Sequence, residues 1–378
     1  MEHTDKRFRK KIIITTVLVI GAIAALIGMT AGLRQYDDFD VRQSMDLTAV
    51  SGSSFLDFQG KLISYSRDGV SCMDYDGNLI WTETFEMDDP QLKKCENYLL
   101  IYDRGGTAIE ILTLSGEKGR IATARPITSA DISGTGDVAC LMRENDTHHL
   151  ELYDTSGEIL ADGELHTENA GYPIAIALSS DAKKLMVSMI SLNDGDVKTT
   201  IRFYQFGRAG QKQKNNIVAS FSYANMIIPE VDFVKGDRAL AVGDTEIIVY
   251  SSASVPKSVS EIYPEGEMKC VFFDDSYFGY ILNDSGDTDG SGQTLEVYSV
   301  YGHRRCRRAI DAVYRTVSMT SNHEILLTDG ENVTLYTISG IRKFAYDFKE
   351  GIYQLIPYDG KRDFVLLLPG KLEKIRIK

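Results

Sequence analysis

From about residue 50 the chain reads as short runs of Val, Ile, Leu, Tyr and Phe separated by tight-turn signals. Apolar and polar positions interleave within the runs, as in Leu295-Glu296-Val297-Tyr298 and Leu150-Glu151-Leu152-Tyr153. A period of two belongs to a pleated strand, whose successive side chains point to opposite faces. No stretch beyond Leu33 carries a sustained 3.6-residue apolar period. The body is therefore expected to be all-β.

The runs form a repeat. Each unit holds an apolar run, a turn, a second run, a Gly-containing turn, an alternating third run, another Gly turn and a final strand. The third run and its turn align most easily: they end at Gly77, Gly116, Gly157, Gly207, Ser252, Gly302, Gly340 and the C-terminal Lys378. Successive spacings lie between 38 and 50, and the longer ones carry the insertions Arg208–Lys214 and Asp284–Gly292. Asp68-Gly69, Gly105-Gly106, Asp194-Gly195 and Asp329-Gly330 fit turns between second and third strands, and Asp76-Gly77, Ser115-Gly116, Ser156-Gly157 and Ser339-Gly340 those between third and fourth. Gly supplies the positive φ that such hairpins demand.

A period near 40 with four strands per unit marks a β-propeller blade, which buries its two faces against its neighbours. The fold expected is an eight-bladed β-propeller, or a seven-bladed one if an insertion-rich unit is irregular. The eighth unit stops after its third strand, leaving an open sheet edge. Phe39–Asp46 is otherwise unassigned and is expected to supply the missing outer strand, closing the ring.

The N-terminus follows a different pattern. Ile12 to Leu33 is a run of 22 uncharged residues, long enough for a helix to cross a hydrocarbon core of about 30 Å. It is longer than a signal-peptide core, no small-x-small cleavage site precedes Arg34, and no lipid-acceptor Cys follows. Five Lys/Arg lie within Lys6–Lys11, whereas Asp37, Asp38 and Asp40 follow the run. The positive-inside rule then predicts a cytoplasmic basic tail at 1–11, one transmembrane helix at 12–33 and an extracytoplasmic propeller at 34–378, a type II single-pass arrangement in the cell membrane. Gly28 and Gly32 form a GxxxG with Ala24 on the same face, a weak signal for helix pairing into a homodimer.

Charge narrows the partners. The net charge is −13, divided into +4 over the first 34 residues and −17 over the rest. An acidic body excludes non-specific binding to nucleic acid, which requires a basic surface.

"DYDGNLIW" (Asp74–Trp81) resembles the quinoprotein-type, PQQ-like propeller repeat, in which a Gly turn leads into a strand bearing Trp; this Trp is the chain's only one. The other units replace it, with Ile159-Leu160 after Gly157 and Phe344 after Gly340. Basic tail, span and acidic propeller together are similar to an uncharacterised family of membrane-anchored propellers of Gram-positive bacteria, which has no assigned activity to carry over. The repeat also resembles that of the propeller lipoprotein that scaffolds outer-membrane protein assembly, which implies a non-catalytic binding platform by analogy of fold.

Candidate chemistry is sparse. Ser285–Glu296 partly matches a calcium loop through Asp287, Asp289, Gly290 and Glu296, but begins with Ser285 and lacks flanking helices, so a solvated acidic insertion is expected. The run His303-Arg304-Arg305-Cys306-Arg307-Arg308 falls on the outermost strand of the sixth unit, where it protects an edge or binds an anionic partner. Cys306 among four Arg has the setting of a low-pKa thiol. His148-His149 are expected in a surface turn, and His3, His166 and His323 to be isolated. Cys72, Cys95, Cys140, Cys270 and Cys306 are odd in number and lack a CxxC, so they read mainly as small buried hydrophobes. Asn145 and Asn332 match glycosylation acceptors, which matter only in a eukaryotic secretory pathway. No phosphate loop, GxSxG, HExxH or dinucleotide fingerprint occurs, so no catalytic, cofactor or metal residues are assigned.

The expectation is a membrane-tethered, non-catalytic scaffold binding an envelope protein or cell-wall component. The alternatives are a quinone-dependent or hydrolytic enzyme, which requires first-strand acids such as Asp131, Asp232 and Asp274 to face one another in the central channel, and a ligand sensor acting through the span.

Overall fold

The computed structural model describes residues 34–47, 52–166, 171–193, 195–207, 210–283, 292–349 and 351–378. The expected span at 12–33, with Gly28 and Gly32, lies outside the described residues. Among the described residues no helix is long and apolar enough to cross a membrane.

Among the described residues thirty-two strands form eight four-stranded antiparallel sheets, so the ring has eight blades rather than seven. Blades 1 to 7 take consecutive strands over 54–84, 90–122, 127–166, 172–224, 230–262, 268–310 and 316–347. Blade 8 takes three strands from 354–377 and its outer strand from Phe39–Asp46, which runs antiparallel to Lys371–Ile377 with Phe39 opposite Ile377.

Period-two alternation explains the core. In the second strand of blade 2, Tyr98–Asp103, Leu99 and Ile101 pack toward blade 1, whereas Leu100 and Tyr102 pack toward blade 3. A blade covered on both sides needs apolar residues on both faces, so its middle strands read as continuous hydrophobic runs. The buried residues accordingly gather in eight layers, one per pair of neighbouring blades.

One irregularity recurs. In blades 1 to 7 a bulge interrupts the pairing of third and fourth strands just after the turn between them. The fourth-strand residue beyond it is Trp81, Gly119, Ala161, Ala219, Ser260, Cys306 or Phe344, in blade order. It pairs with a third-strand residue such as Cys72 or Leu152 that packs toward the following blade. This site thus contributes to how each gap between blades is filled.

Antiparallel pairing also fixes two faces. Turns joining strands one to two and three to four share one face; turns joining two to three and the blade-to-blade connections share the other. The chain enters on the first of these. Tyr36 donates its N–H to Lys343 O (2.9 Å) and accepts from Ala345 N (3.2 Å), Arg362 lies over its ring at 5.9 Å, and Phe39 meets the Tyr346 ring at 4.9 Å. The Lys378 ammonium donates to Asp40 Oδ1 at 2.5 Å, so the two ends are tied together.

Candidate functional site

Two polar clusters occupy the inner part of the disc. The first draws on the first strands of blades 2, 3 and 5: Pro90–Cys95, Ile127–Ile132 and Glu230–Val234. Lys93, Asp131, Asp232 and Glu230 interact electrostatically although their blades are not all neighbours, which puts them at the central bore. Asp131 Oδ2 accepts the Leu178 N–H at 2.7 Å, a bond that crosses to blade 4. Burial raises the Asp131 carboxyl against the pull of that bond and of Lys93. Burial and then the Asp131 charge raise Asp232, with Lys93 opposing. Desolvation works against the Lys93 charge, but Asp131, Asp232, Tyr102 and Glu230 more than offset it, and its pKa rises. Two carboxyls beside one ammonium can share a proton or hold a small polar ligand.

The second cluster sits on the entry face, where the first hairpin turns of blades 6 and 7 meet. Asp274 Oδ1 accepts from the N–H groups of Ser276 and Tyr277 at 2.7 Å each, which aims Oδ2 at His323 Nδ1, 2.6 Å away. The Tyr277 ring lies edge-on to His323 with centroids 5.3 Å apart. Asp274, Asp275 and His323 each offer a ligand atom within 4.8 Å of the others, and among the described residues they are the set that could hold a metal ion.

These positions correct several expectations. Asp131 and Asp232 come together, but Asp274 does not join them: it belongs to a hairpin turn at the face rather than to the bore. His323 is partnered rather than isolated. His148 and His149 lie within the strand Thr147–Tyr153 and are buried, because their strand is covered by both neighbouring blades. Burial lowers the His148 pKa, with Arg143 adding to the effect. Asp287, Asp289 and Gly290 lie outside the described residues, while Glu296, as its alternating run implied, sits in the strand Gln293–Ser299, buried among Arg307, Tyr280 and Tyr298.

The basic run does form the outermost strand of blade 6, Arg304–Ile310. Much of its charge is neutralised internally: Arg307 pairs with Glu265 (2.7 Å) and Glu296 (3.3 Å), Arg304 approaches Glu296 at 3.9 Å, and Arg308 donates to Gly340 O at 3.3 Å. Cys306 overturns its expectation, since burial pushes its thiol up to about 11 despite Arg308 nearby. All five cysteines are free.

Lys93 and Glu230 escaped the sequence reading. Each sits in a first strand whose polar residues look like ordinary strand-end groups, and only closure of the ring brings blades 2, 3 and 5 around one axis.

Fold and turn chemistry together define an eight-bladed β-propeller closed by its own two ends. Residues 32–377 match the model of DUF5711, a family of unknown function, and the chain belongs to that family. No curated protein sequence matches it. Among solved structures, the computationally designed Ika8 protein is similar at TM-score 0.56 and 12% identity, over 88% of this chain and 98% of that one. BamB from Moraxella catarrhalis aligns at TM-score 0.52 and 14% identity, over 90% and 98% of the two chains. AztD from Citrobacter koseri, in its apo form, aligns at TM-score 0.53 and 10% identity, over 78% and 86%. At such identities the likeness is one of fold.

Proposed function

We propose that the protein is a membrane-tethered, non-catalytic propeller that docks an extracytoplasmic protein on the face opposite its tether. The observation that carries this reading is a set of exposed tyrosine and aliphatic side chains on that face; the entry face also exposes Leu79, Ile80, Ile159, Leu160, Val255 and Tyr301, with one tyrosine against three. Tyr172, Leu192, Ile227, Tyr263, Val313 and Tyr353 all sit at second-to-third turns or blade-to-blade connections, on the face away from the chain entry at Tyr36. Leu192, Val313 and Tyr263 are 73%, 69% and 65% exposed. Exposed tyrosines and aliphatics spread over the connections of blades 4 to 8 have the composition of a protein-binding surface. The uncharged run at 12–33 supports the tether, the basic tail supports a cytoplasmic N-terminus, and the acidic body supports an extracytoplasmic site free of nucleic acid. Confinement near a membrane raises the effective concentration for partners there.

The test is photo-crosslinking of the full chain in its native membrane, with the reactive group at Leu192 or Ile227 and, as control, at Leu79 or Ile80 on the entry-face rim. A discrete protein adduct from the first pair, lost in a Tyr263→Ser/Val313→Ser/Tyr353→Ser variant, is expected. Adducts only from the rim positions, or only with wall polymer, reject the reading. A second reading rests on the Asp131–Asp232–Lys93 cluster, whose raised carboxyls suit acid–base chemistry in the bore. Its mark is turnover abolished by Asp131→Asn with crosslinking unchanged.

A further inference from the structure

Between blades 3 and 4 lies a cavity of about 400 Å³, within the range of roughly 300–1,000 Å³ of small-molecule sites. Its origin is legible in the blade register. In blade 1 the recurring fourth-strand site holds Trp81, which packs among the residues between blades 1 and 2 and donates its indole N–H to Leu114 O at 2.9 Å. In blade 3 the same site holds Ala161, and the next residue on that face is Gly163, where an added Cβ meets nothing within 4 Å. Blades 2 and 4, which also have a small residue there, close the gap differently. At Gly119 the Thr155 carbonyl comes so near that a Cβ would lie 2.0 Å from it, and beyond Ala219 the rings of Phe203, Phe221 and Tyr250 fill the space. Between blades 3 and 4 nothing replaces the missing ring. Asn215 and Asn216, at the end of the blade 4 insertion, instead add to the cavity wall.

The lining has a definite chemistry. Arg202, Tyr204 and Phe206 are alternate positions at the end of the third strand of blade 4 and all line the space. Tyr204 is only 7% exposed, and its buried hydroxyl has no partner but the neighbouring Arg202 guanidinium, which lowers its pKa against the larger rise that burial causes. Arg202 is half-buried and forms no ion pair with a carboxylate among the described residues. The buried acid of the wall, Glu151, is already engaged by Arg125 (3.4 Å) and by the Tyr153 hydroxyl. A guanidinium without a carboxylate partner presents a planar pair of donors that matches a carboxylate, and the phenol beside it adds a third donor. Leu150, Leu165, Leu185 and Phe206 give the wall an apolar side, beside the polar residues Asp162, Glu164, Asn215 and Asn216.

We propose that this cavity binds a small apolar molecule bearing a single carboxylate, with the acid group held by Arg202 and the Tyr204 hydroxyl and the apolar body by Leu150, Leu165, Leu185 and Phe206. The site is independent of the docking face proposed above, because it lies at the outer rim of the disc, between the fourth strand of blade 3 and the end of the third strand of blade 4.

The experiment is isothermal titration of the purified full-length protein with 4-phenylbutanoate and with its neutral counterpart 4-phenylbutan-1-ol. The acid is expected to bind at least tenfold more tightly than the alcohol. Arg202→Met is expected to lower affinity for the acid about tenfold and to remove the difference between the two probes. Ala161→Trp, which restores the blade 1 solution, and Gly163→Phe, which fills the adjacent space, are each expected to abolish binding. A cooperative thermal transition at or above that of the wild type verifies that each variant is folded. Absence of acid binding at millimolar concentration, equal binding of acid and alcohol by the wild type, or undiminished binding in both filled variants that fold overturns the proposal.

Discussion

At the residue scale, a single site shows how the same backbone position takes different side chains according to what faces it. Trp81 fills one gap between blades and satisfies its own N–H at Leu114, whereas Gly119 is small because the Thr155 carbonyl occupies the place of a side chain. Opposite substitutions should therefore both destabilise. Trp81→Ala removes a large, partly buried aromatic, at a cost of about 2–3 kcal/mol, below that of a fully buried ring. Gly119→Ala forces a backbone displacement at a cost of about 2 kcal/mol or more. Denaturant unfolding of the two variants checks both, and a neutral Gly119→Ala would show that the neighbouring hairpin moves aside freely. The sequence announced Trp81 through its repeat motif, but the small residue at 119 carried no comparable signal, since the group that excludes a side chain there belongs to the next blade. The same limit explains the histidines: His148 and His149 looked like turn residues, and only the coverage of their strand by neighbouring blades shows them to be buried.

At the scale of elements, first strands from separate blades meet at the axis and perturb one another. Asp131 and Asp232 are both raised by burial, and Asp232 further by its neighbour's charge. A carboxyl raised in the folded state contributes stability fully below its unfolded pKa of about 3.9 and loses that contribution as pH climbs through the folded value. Asp232→Asn should therefore gain on the wild type as pH rises from about 4 to about 8, by more than about 1 kcal/mol. Stability curves measured across that window decide it; a difference independent of pH would mean that the two acids titrate normally. The strands themselves were well read from the sequence, because period-two alternation and Gly turns are local. Which residues of blades 2, 3 and 5 would converge was not, since contacts across a ring depend on the number and tilt of the blades between them.

At the scale of the whole molecule, closure is the controlling feature. Phe39–Asp46 covers the edge of Lys371–Ile377, and Phe39 adds ring contacts with Tyr346 and Phe348 at 4.9 and 5.5 Å. Removing residues 1–47 should open the ring at an unpaired strand edge, lower the melting temperature by about 10 °C or more and promote association. Removing only residues 1–33 should leave both properties unchanged. Thermal melting with size-exclusion chromatography compares them, and equal behaviour of the two truncations would mean that the ring holds shut without its N-terminal strand.

The sequence by itself determined the all-β class, the eight repeats, their hairpin turns and the leftover strand before the first blade. These rest on alternation, glycine placement and period, which are properties of neighbouring residues. Tertiary structure alone decided the meeting of Asp274 with His323, the charge cluster in the bore, the raised Cys306 thiol and the empty space beside Ala161. Each of these arises where side chains from different blades face one another, and that juxtaposition exists only once the ring has closed.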